Sequence, residues 1–372
     1  MKLFESGKYI NQGSYKAFIP NKINRIWQID NLDIISLLSK AERELGRLDM
    51  FSEYVDIDRY IQMHIAKEAS QSSKIEGTQT KMEEVFLQEN EIKPENRNDW
   101  LEVQNYITAM NAAVQQLHKL PFSSRLIKLV HKILLQGVRG KHKLPGEYRS
   151  SQNWIGGATL NNAVFVPPPH NEVAELMSDL EKFANSFDNN LPELIKIAII
   201  HYQFETIHPF LDGNGRVGRL IIPLFLVEKK IIKRPILYLS DFFEKNRQLY
   251  YDNLMRTRTH NDMIQWVKFF LTGVIETARA GVETFNKIFL LQQEIDNELK
   301  LLKSRENNAR KLLNFMYKHP VFNANMVAGE LELSIATVYK IIQTFEQLEI
   351  IKEYTGAKRG RMYVFEKYIK LF

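Results

Sequence analysis

Two segments with helical periodicity flank the stretch His208-Pro209-Phe210-Leu211-Asp212-Gly213-Asn214-Gly215-Arg216-Val217-Gly218-Arg219. Apolar residues recur at helical spacing over residues 192–205 before it and over residues 216–229 after it. Gly213 and Gly215 allow backbone conformations that point successive N–H groups inward, and the N-terminus of the following helix adds partial positive charge. The turn between the two helices is therefore a candidate phosphate-binding site.

Charged and titratable residues surround this turn. Arg216 and Arg219 are three residues apart, share one face of the predicted helix and can each pair with phosphate oxygens. Asp212 directly precedes the glycines and is a candidate ligand for Mg²⁺, which prefers one or two carboxylates plus phosphate oxygens. His208 is the one group of the stretch suited to accept a proton near neutral pH. Each residue alone is more often structural or solvated, so the hypothesis rests on their combination.

The same stretch also contains the dinucleotide-binding pattern G-x-G-x-x-G, from Gly213 to Gly218. A predicted helix rather than a strand precedes the pattern, and the basic pair Lys233-Arg234 stands where a ribose-binding acid is expected. This context argues against a dinucleotide fold. His201 is interpreted as a buried, hydrogen-bonded histidine rather than a metal ligand, because no third ligand accompanies it.

With every specified position filled, His208 to Arg219 resembles the signature of the Fic family, H-x-F-x-[DE]-G-N-G-R-x-x-R. The resemblance extends over residues 60–270 and implies an all-helical core with a short β-hairpin flap. It implies that His208 deprotonates a hydroxyl side chain of a target protein, which attacks the α-phosphorus of ATP as pyrophosphate leaves. The expected function is therefore that of a Mg²⁺-dependent protein adenylyltransferase with ATP as its substrate.

The resemblance assigns a role to most residues of the stretch. Asp212 is expected to bind Mg²⁺, and the turn Gly213-Asn214-Gly215 is expected to hold the α- and β-phosphates. Arg216 would assist there, and Arg219 would meet the γ-phosphate. Asn246, further along the chain, matches a position that reaches the adenine or the ribose.

A second resemblance lies upstream, at Ser72-Ser73-Lys74-Ile75-Glu76-Gly77, which is similar to the family's inhibitory pattern [ST]-x-x-x-E-[GN]. In the family this glutamate pairs with the second arginine of the signature, so Glu76 is expected to occupy Arg219 and displace the γ-phosphate. A carboxylate repels the triphosphate, and the ion pair removes the cationic partner of the phosphate. Without the resemblance, Glu76 would be a surface glutamate and Ser72 a helix-terminal hydroxyl. The resemblance also implies that the glutamate positions water to remove AMP.

We divide the chain into four parts: an N-terminal helical region with the inhibitory pattern (1–95), a Fic catalytic core (96–270), a connecting helix (271–304) and a winged helix-turn-helix (305–372). Residues 1–30 show no steady period and predict an irregular arm. Residues 148–168 predict a short hairpin, which the resemblance interprets as the flap that aligns a target segment by strand addition. The expected fold class is mainly α.

The predicted winged helix-turn-helix rests on local patterns in residues 305–372. Helical segments flank a turn at Glu332-Leu333, and Ser334 is placed to cap the second of them. Strand-like runs at residues 350–354 and 361–365 flank the basic tip Gly356-Ala357-Lys358-Arg359-Gly360. Eleven Lys and Arg against seven Asp and Glu make this part basic. DNA is therefore one candidate partner, and protein is the other.

A rival hypothesis follows from this basic part, in which the protein is a DNA-binding regulator whose Fic core only senses nucleotide. The intact His208 weighs against it, because sensing requires the phosphate site but not the base. Transfer of a different phosphate-containing group is a third hypothesis, since the resemblance defines the phosphate site better than the donor.

Composition excludes several other classes of protein. The chain has no cysteine, which excludes disulfides, thiolate nucleophiles and cysteine-based metal sites. Neither a signal peptide nor an apolar run of membrane-spanning length is found, so we expect a cytoplasmic protein without a membrane partner. The sequence does not specify the target protein, and self-modification and a homodimer both stay open.

Overall fold

The computed structural model describes residues 4–54, 57–137, 142–186, 191–356 and 360–372. Its α-helices are α1 (Leu32–Asp49), α2 (Phe51–Tyr54), α3 (Ile61–Ile75), α4 (Met82–Val85), α5 (Arg97–Gln116), α6 (Ser124–Leu134), α7 (Val173–Asn185), α8 (Glu193–Ile207), α9 (Asn214–Glu228), α10 (Ser240–Lys245), α11 (Arg247–His260), α12 (Met263–Lys300), α13 (Glu306–Lys318), α14 (Ala324–Leu331), α15 (Ile335–Gln347) and α16 (Glu366–Ile369). Its strands are β1 (Gly7–Asn11), β2 (Lys16–Pro20), β3 (Val321–Asn323), β4 (Lys352–Glu353) and β5 (Met362–Val364). The mainly α fold class is thus confirmed. No helix within those ranges combines the length and apolar character needed to cross a membrane.

Helix α8 forms the centre of the molecule. Every residue from Leu194 to Ile207 is buried, and the helix lacks a polar face, which is typical of a helix surrounded by protein. Helices α7, α9 and α12 pack against it, and α9 in turn contacts α3, α5 and α6. The loop of residues 208–213 connects α8 to α9, so both sides of the motif are held by the core.

Helix α12 connects the core to the C-terminal part without a break. Asp262 caps its N-terminus by accepting a hydrogen bond from the Gln265 backbone N–H at 3.1 Å. Near this end the Trp266 indole donates to the Ala198 carbonyl of α8 at 2.8 Å. Further along, Ile295 and Leu299 are buried, whereas Leu290 is exposed. The expected boundary at residue 271 therefore falls inside one continuous helix.

The C-terminal part combines three helices with a small sheet. Strands β3, β5 and β4 form an antiparallel sheet in that order, beside α13, α14 and α15. Ser334 caps α15, since its hydroxyl accepts a hydrogen bond from the Thr337 backbone N–H at 3.2 Å. The three helices and the strands β4 and β5 lie within or close to the segments that the sequence predicts, whereas β3 was not predicted. The basic tip at Lys358 and Arg359 lies outside the described residues, and DNA binding by this part stays a prediction.

Aromatic side chains join the C-terminal part to the core. Tyr60, which precedes α3, contacts the ring of Tyr317 edge-on, with centroids 5.1 Å apart. The ring of His64 on α3 lies 4.9 Å from that of Phe372. The helix that carries the inhibitory pattern is thus packed against both parts of the chain.

Two expectations about irregular and extended segments were wrong in detail. The N-terminal arm is not irregular, because β1 and β2 pair in register from Gly7↔Pro20 to Asn11↔Lys16. Its strands are five residues each, too short to show a clear alternation in the sequence. The flap segment contains the single antiparallel bridge Ile155↔Phe165 rather than two strands. The Phe18 N–H of β2 donates to the Val166 carbonyl at 2.9 Å, so the N-terminal hairpin supports the flap.

We predict that Gly273→Ala destabilises the protein by about 1–3 kcal/mol, because tight cores resist added methyl groups. A Cβ at this position of α12 would lie 2.7 Å from the ring of Phe242. Gly329→Ala in α14 is the matched control, since nothing lies within 4 Å of its Cβ. We expect it to stabilise the protein by about 0.5–1 kcal/mol through helix propensity. Urea unfolding of both variants checks the contrast, and equal effects would contradict it.

Candidate active site

The loop between α8 and α9 begins and ends in left-handed backbone conformations. His208 ends α8 with φ 50° and ψ 61°, and its N–H donates to the Phe204 carbonyl at 2.9 Å. Gly213 precedes α9 with φ 75° and ψ 6°. A non-glycine residue in this conformation is uncommon and is found most often at helix ends and functional sites. The left-handed conformations of His208 and Gly213 turn the loop sharply, so that His208 faces the N-terminus of α9.

Asn214 closes this loop through its own side chain. Its amide donates to the Phe210 carbonyl at 2.8 Å, and its carbonyl oxygen accepts from the Phe210 N–H at 2.9 Å. The side chain is buried. Asn214 therefore fixes the shape of the glycine-rich turn, and Gly213 and Gly215 line the cavity.

His131 on α6 supports the loop from below, a contact that sequence reasoning missed. Its ring stacks on Phe210 at a centroid distance of 3.7 Å. The Gly146 N–H donates to Nδ1 at 2.9 Å, so Nε2 carries the proton and donates to the Asp212 carbonyl at 3.1 Å. Burial lowers the pKa of His131 to about 4, which keeps the ring neutral and this pattern intact at neutral pH.

Arg149 ties the flap to the loop and was also missed. It is buried, and its guanidinium donates to the carbonyls of His208 at 3.0 Å, Pro168 at 2.5 Å and Ile207 at 3.3 Å. Asn153 adds bonds to the carbonyls of His208 at 3.2 Å and of Phe210 at 2.8 Å. Left-handed caps leave carbonyls without helical partners, and these side chains satisfy them.

His208 is suited to accept a proton. Its side chain is mostly buried, and burial together with the cationic Arg258 and Arg149 lowers its pKa to about 3. The imidazole is therefore neutral at physiological pH, with a free lone pair. Among the described residues, its Nδ1 makes no hydrogen bond of ordinary length and angle.

The two arginines of the motif have different surroundings. Arg216 lies beneath the turn, where Nη1 donates to Glu102 Oε2 of α5 at 3.1 Å and Nη2 lies 4.0 Å from Asp212 Oδ1. It does not line the cavity above the turn, whereas Arg219 does. Of the two expected phosphate ligands, the structure therefore brings only Arg219 to the cavity, and Arg216 pairs with a glutamate instead.

Arg219 is held by Ser72 and Glu76, at the C-terminal end of α3. Its Nη2 donates to Glu76 Oε1 at 2.7 Å, while Nε and Nη2 donate to the hydroxyl and carbonyl of Ser72, both at 2.9 Å. A Cβ at Gly215 would lie 2.3 Å from Glu76 Oε1, so this glycine makes room for the carboxylate. Residues distant in the sequence thus meet as the sequence predicts.

The charge of each partner stabilises that of the other. Burial alone would raise the pKa of Glu76, but the charge and hydrogen bond of Arg219 outweigh it, so the net pKa is lowered. Glu76 correspondingly raises the pKa of the Arg219 guanidinium against the effect of burial. Both groups are therefore ionised at neutral pH, and the ion pair is maintained.

A cavity of about 520 Å³ lies above the turn, within the range of small-ligand sites. The turn Gly213-Asn214-Gly215 and Asp212 form its floor, and His208 and Arg219 line it as well. Its other walls come from the flap and α11, namely Trp154, Ile155, Gly156, Val164, Phe165, Tyr250, Tyr251, Leu254 and Met255. The cavity thus combines charged side chains of both signs with an apolar wall.

Asp212 fits the expected magnesium site in one respect. Its side chain is half exposed and lines the cavity, with Oδ1 accepting from the Gly213 N–H at 2.6 Å. The described part of the chain contains no cluster of three or more His, Cys, Asp or Glu residues placed to bind a metal. One accessible carboxylate is the ligand set expected for Mg²⁺ that is bound mainly through substrate phosphates.

Family models match two regions of this chain: the Fic/DOC family N-terminal model over residues 35–115 and the Fic/DOC family model over residues 121–226. This chain belongs to the Fic/DOC family. The second match includes the whole loop from His208 to Arg219, and the first includes Ser72 and Glu76.

Relatives and solved structures agree with this assignment. The chain is 30% identical over 125 residues to the proteins named Protein adenylyltransferase Fic of Drosophila willistoni and Drosophila grimshawi. That region is 33% of this chain but only 22% and 23% of theirs. A Fic family protein from Desulfovibrio desulfuricans superposes with a TM-score of 0.58 at 21% identity, covering 92% of this chain and 98% of that one. A Fic domain containing signaling protein from Bacteroides thetaiotaomicron gives 0.53 at 20% identity, covering 68% and 96%. These structures show a shared Fic fold.

Asn246 is not brought to the motif cavity of this Fic protein, so its expected contact with adenine or ribose is not supported by the geometry. It lies at the junction of α10 and α11, and its amide donates to the Phe242 carbonyl at 2.9 Å. It lines a separate cavity with His64 and Lys67. Tyr250 and Leu254, about one and two helical turns further along α11, reach the motif cavity instead. The sequence could not show which of these turns faces the motif.

We predict that Arg149→Met lowers the free energy of unfolding by about 2–4 kcal/mol, because it leaves several buried carbonyls without donors. Hydrogen exchange over residues 152–166 should accelerate as the flap loses its attachment. Arg125→Met is the control, since Arg125 is exposed on α6. Its effect is expected to stay within about 0.5 kcal/mol. Unchanged exchange in the flap of Arg149→Met would refute the attachment.

Proposed function

We propose that this chain is a protein adenylyltransferase that transfers AMP from ATP to a hydroxyl side chain of a target protein or of itself. The observation that carries the proposal is that a neutral histidine and a phosphate-competent arginine line one cavity with a glycine-rich helix N-terminus. Family membership and relatives named as adenylyltransferases support the same reaction.

The chemistry follows from the arrangement of the loop. His208 accepts the proton of the target hydroxyl, and the oxygen lone pair attacks the α-phosphorus. The bond to the bridging oxygen of pyrophosphate breaks, and its electrons leave with pyrophosphate. The backbone N–H groups at the start of α9 and the guanidinium of Arg219 hold the phosphates. Mg²⁺, held by Asp212, would neutralise charge on the phosphates.

Autoinhibition is the second part of the proposal. Glu76 occupies the guanidinium face of Arg219 and lines the same cavity, so its carboxylate meets the space that the γ-phosphate needs. Ser72 holds the other edge of Arg219, so the arginine keeps its position when Glu76 is removed. Removal of Glu76 therefore frees a preformed phosphate ligand. We extend the proposal to the removal of AMP from a modified target. Glu76 lines the same cavity as His208, where it could position the water for this reaction.

We predict that Glu76→Gly raises AMP transfer about tenfold or more, because it removes a like charge and releases Arg219. His208→Ala in the same background should abolish transfer. The assay follows label from ATP carrying the isotope on its α-phosphate or, separately, on its γ-phosphate, with the protein itself and a lysate as targets. Glu83→Gly, at a neighbouring acid of α4, is the control and should leave transfer unchanged.

The isotope position separates the outcomes of this assay. Label from the α-phosphate alone supports adenylyl transfer. Label from the γ-phosphate would mean phosphotransfer by the same cavity. Absence of label from every variant would overturn the proposed activity.

We predict that Asp212→Asn raises the Mg²⁺ concentration for half-maximal transfer about tenfold or more, because the one accessible carboxylate of the turn is lost. Asp252→Asn, an exposed position of α11, is the control and should not shift the Mg²⁺ dependence. Both are measured as Mg²⁺ titrations of AMP transfer in the Glu76→Gly background. An unshifted titration in Asp212→Asn would place the metal elsewhere.

A further inference from the structure

A third carboxylate, Glu205, lines the motif cavity besides Asp212 and Glu76 and has no role in the reaction described above. It precedes His208 by one turn of α8, is 6% exposed and lines the cavity beside Arg219. Buried carboxylates normally have hydrogen-bond partners, because an unpaired charge in the interior is costly. Within the described residues Glu205 Oε1 has none. A buried carboxylate oxygen without a hydrogen-bond partner at this place therefore requires an explanation.

The other carboxylate oxygen of Glu205, Oε2, is the one nearest to His208. Glu205 Oε2 lies 4.0 Å from His208 Nδ1, and this nitrogen likewise lacks a well-formed hydrogen bond within the described part of the chain. A separation of 4.0 Å is beyond hydrogen-bond length but within the range of a strong charge interaction in a buried site. The backbone carbonyl of Glu205 also favours the protonated ring. Glu205 thus influences the His208 ring through both its carboxylate and its backbone carbonyl.

The packing around Glu205 leaves room for its carboxylate. A Cβ at Gly218 would lie 2.1 Å from Glu205 Oε1, so only glycine at this position of α9 admits the acid in its present place. The Gly218 carbonyl accepts a hydrogen bond from His201 Nδ1 at 2.8 Å, which fixes this part of α9 against α8. Gly218, at an unspecified position of the motif, therefore makes room for the carboxylate of Glu205.

Charged groups on three sides set the ionisation of Glu205. Burial raises its pKa, Arg219 of α9 and Arg258 of α11 lower it and Glu76 raises it, and the net pKa is about 7. The negative charge of Glu205 also contributes to raising the pKa of Tyr250 on α11. The pKa of His208 is about 3, so Glu205 rather than His208 changes its charge near neutral pH.

We propose that Glu205 is a positioning residue for His208, whose carboxylate orients the ring through its Nδ1 edge and stabilises the imidazolium that forms during AMP transfer. This inference rests on the proposed function. The proton of the target hydroxyl moves to His208 Nε2, the oxygen bonds to the α-phosphorus, and pyrophosphate leaves with the bonding electrons. Glu205 gains no proton in this step; it supplies negative charge close to the new positive charge.

A pH profile tests this role, because a merely structural residue would change the rate without changing the shape of the profile. In the Glu76→Gly background, kcat/KM should fall as the pH decreases through the pKa of Glu205. Since Glu76 raises that pKa, we expect the midpoint in this variant below about 7. Adding Glu205→Gln should lower kcat roughly 10- to 100-fold above this pH and abolish the acid limb.

Two further variants make the comparison specific. Glu205→Asp retains the charge, so it should retain the acid limb at a reduced rate. Glu193→Gln removes an acid at the far end of α8, where it pairs with Lys196, and should leave the profile unchanged. An acid limb of the same midpoint in Glu205→Gln would overturn the proposal.

Nitrogen NMR of histidine-labelled protein gives a readout that does not depend on transfer. The side-chain ¹⁵N shifts of His208, assigned with His208→Ala, should move across the pH range in which Glu205 ionises, although the ring itself stays neutral. They should be constant over that range in Glu205→Gln. Shifts that are insensitive to pH in the parent protein would refute the contact. Shifts that follow Glu205 in a protein without AMP transfer would uphold the contact and overturn the proposed function alone.

Discussion

The structure depends on the complete burial of α8 and of most of α9. Helix α8 has no polar face, so its free energy comes from apolar contacts on all sides, supplied chiefly by α7, α9 and α12. Two helices fixed in this way hold the ends of a six-residue loop rigidly. The loop can then keep His208 in a left-handed conformation, because Arg149 and Asn153 satisfy the carbonyls it exposes. Packing of the core around α8 and α9 therefore holds the residues of the loop in defined positions.

Electrostatics in this site result from the same burial. Burial keeps His208 neutral, and the charge of Arg219 lowers the pKa of Glu76. The same desolvation leaves Glu205 with a pKa near neutrality. A single cavity is thus lined by a neutral histidine, an arginine paired with Glu76, and an acid whose pKa lies near neutrality.

The sequence predicted those features that depend on short-range patterns. The helices on either side of the motif, the cap of α15 at Ser334 and the contact of Glu76 with Arg219 follow from periodicity, capping chemistry or family resemblance. Features that depend on tertiary packing were not predicted. Arg149 and His131 act through loop carbonyls far away in sequence, and the orientation of Asn246 depends on where α10 ends. The pairing of β1 with β2 was hidden because each strand is short.

A crystal structure of the Glu76→Gly variant with Mg²⁺ and a non-hydrolysable ATP analogue tests the central claim most directly. The account predicts that the γ-phosphate binds Arg219, that the β- and α-phosphates follow the turn Gly213-Asn214-Gly215, and that the α-phosphorus faces His208. A triphosphate bound in the reverse direction, or a nucleotide bound in the cavity beside Asn246, would contradict it.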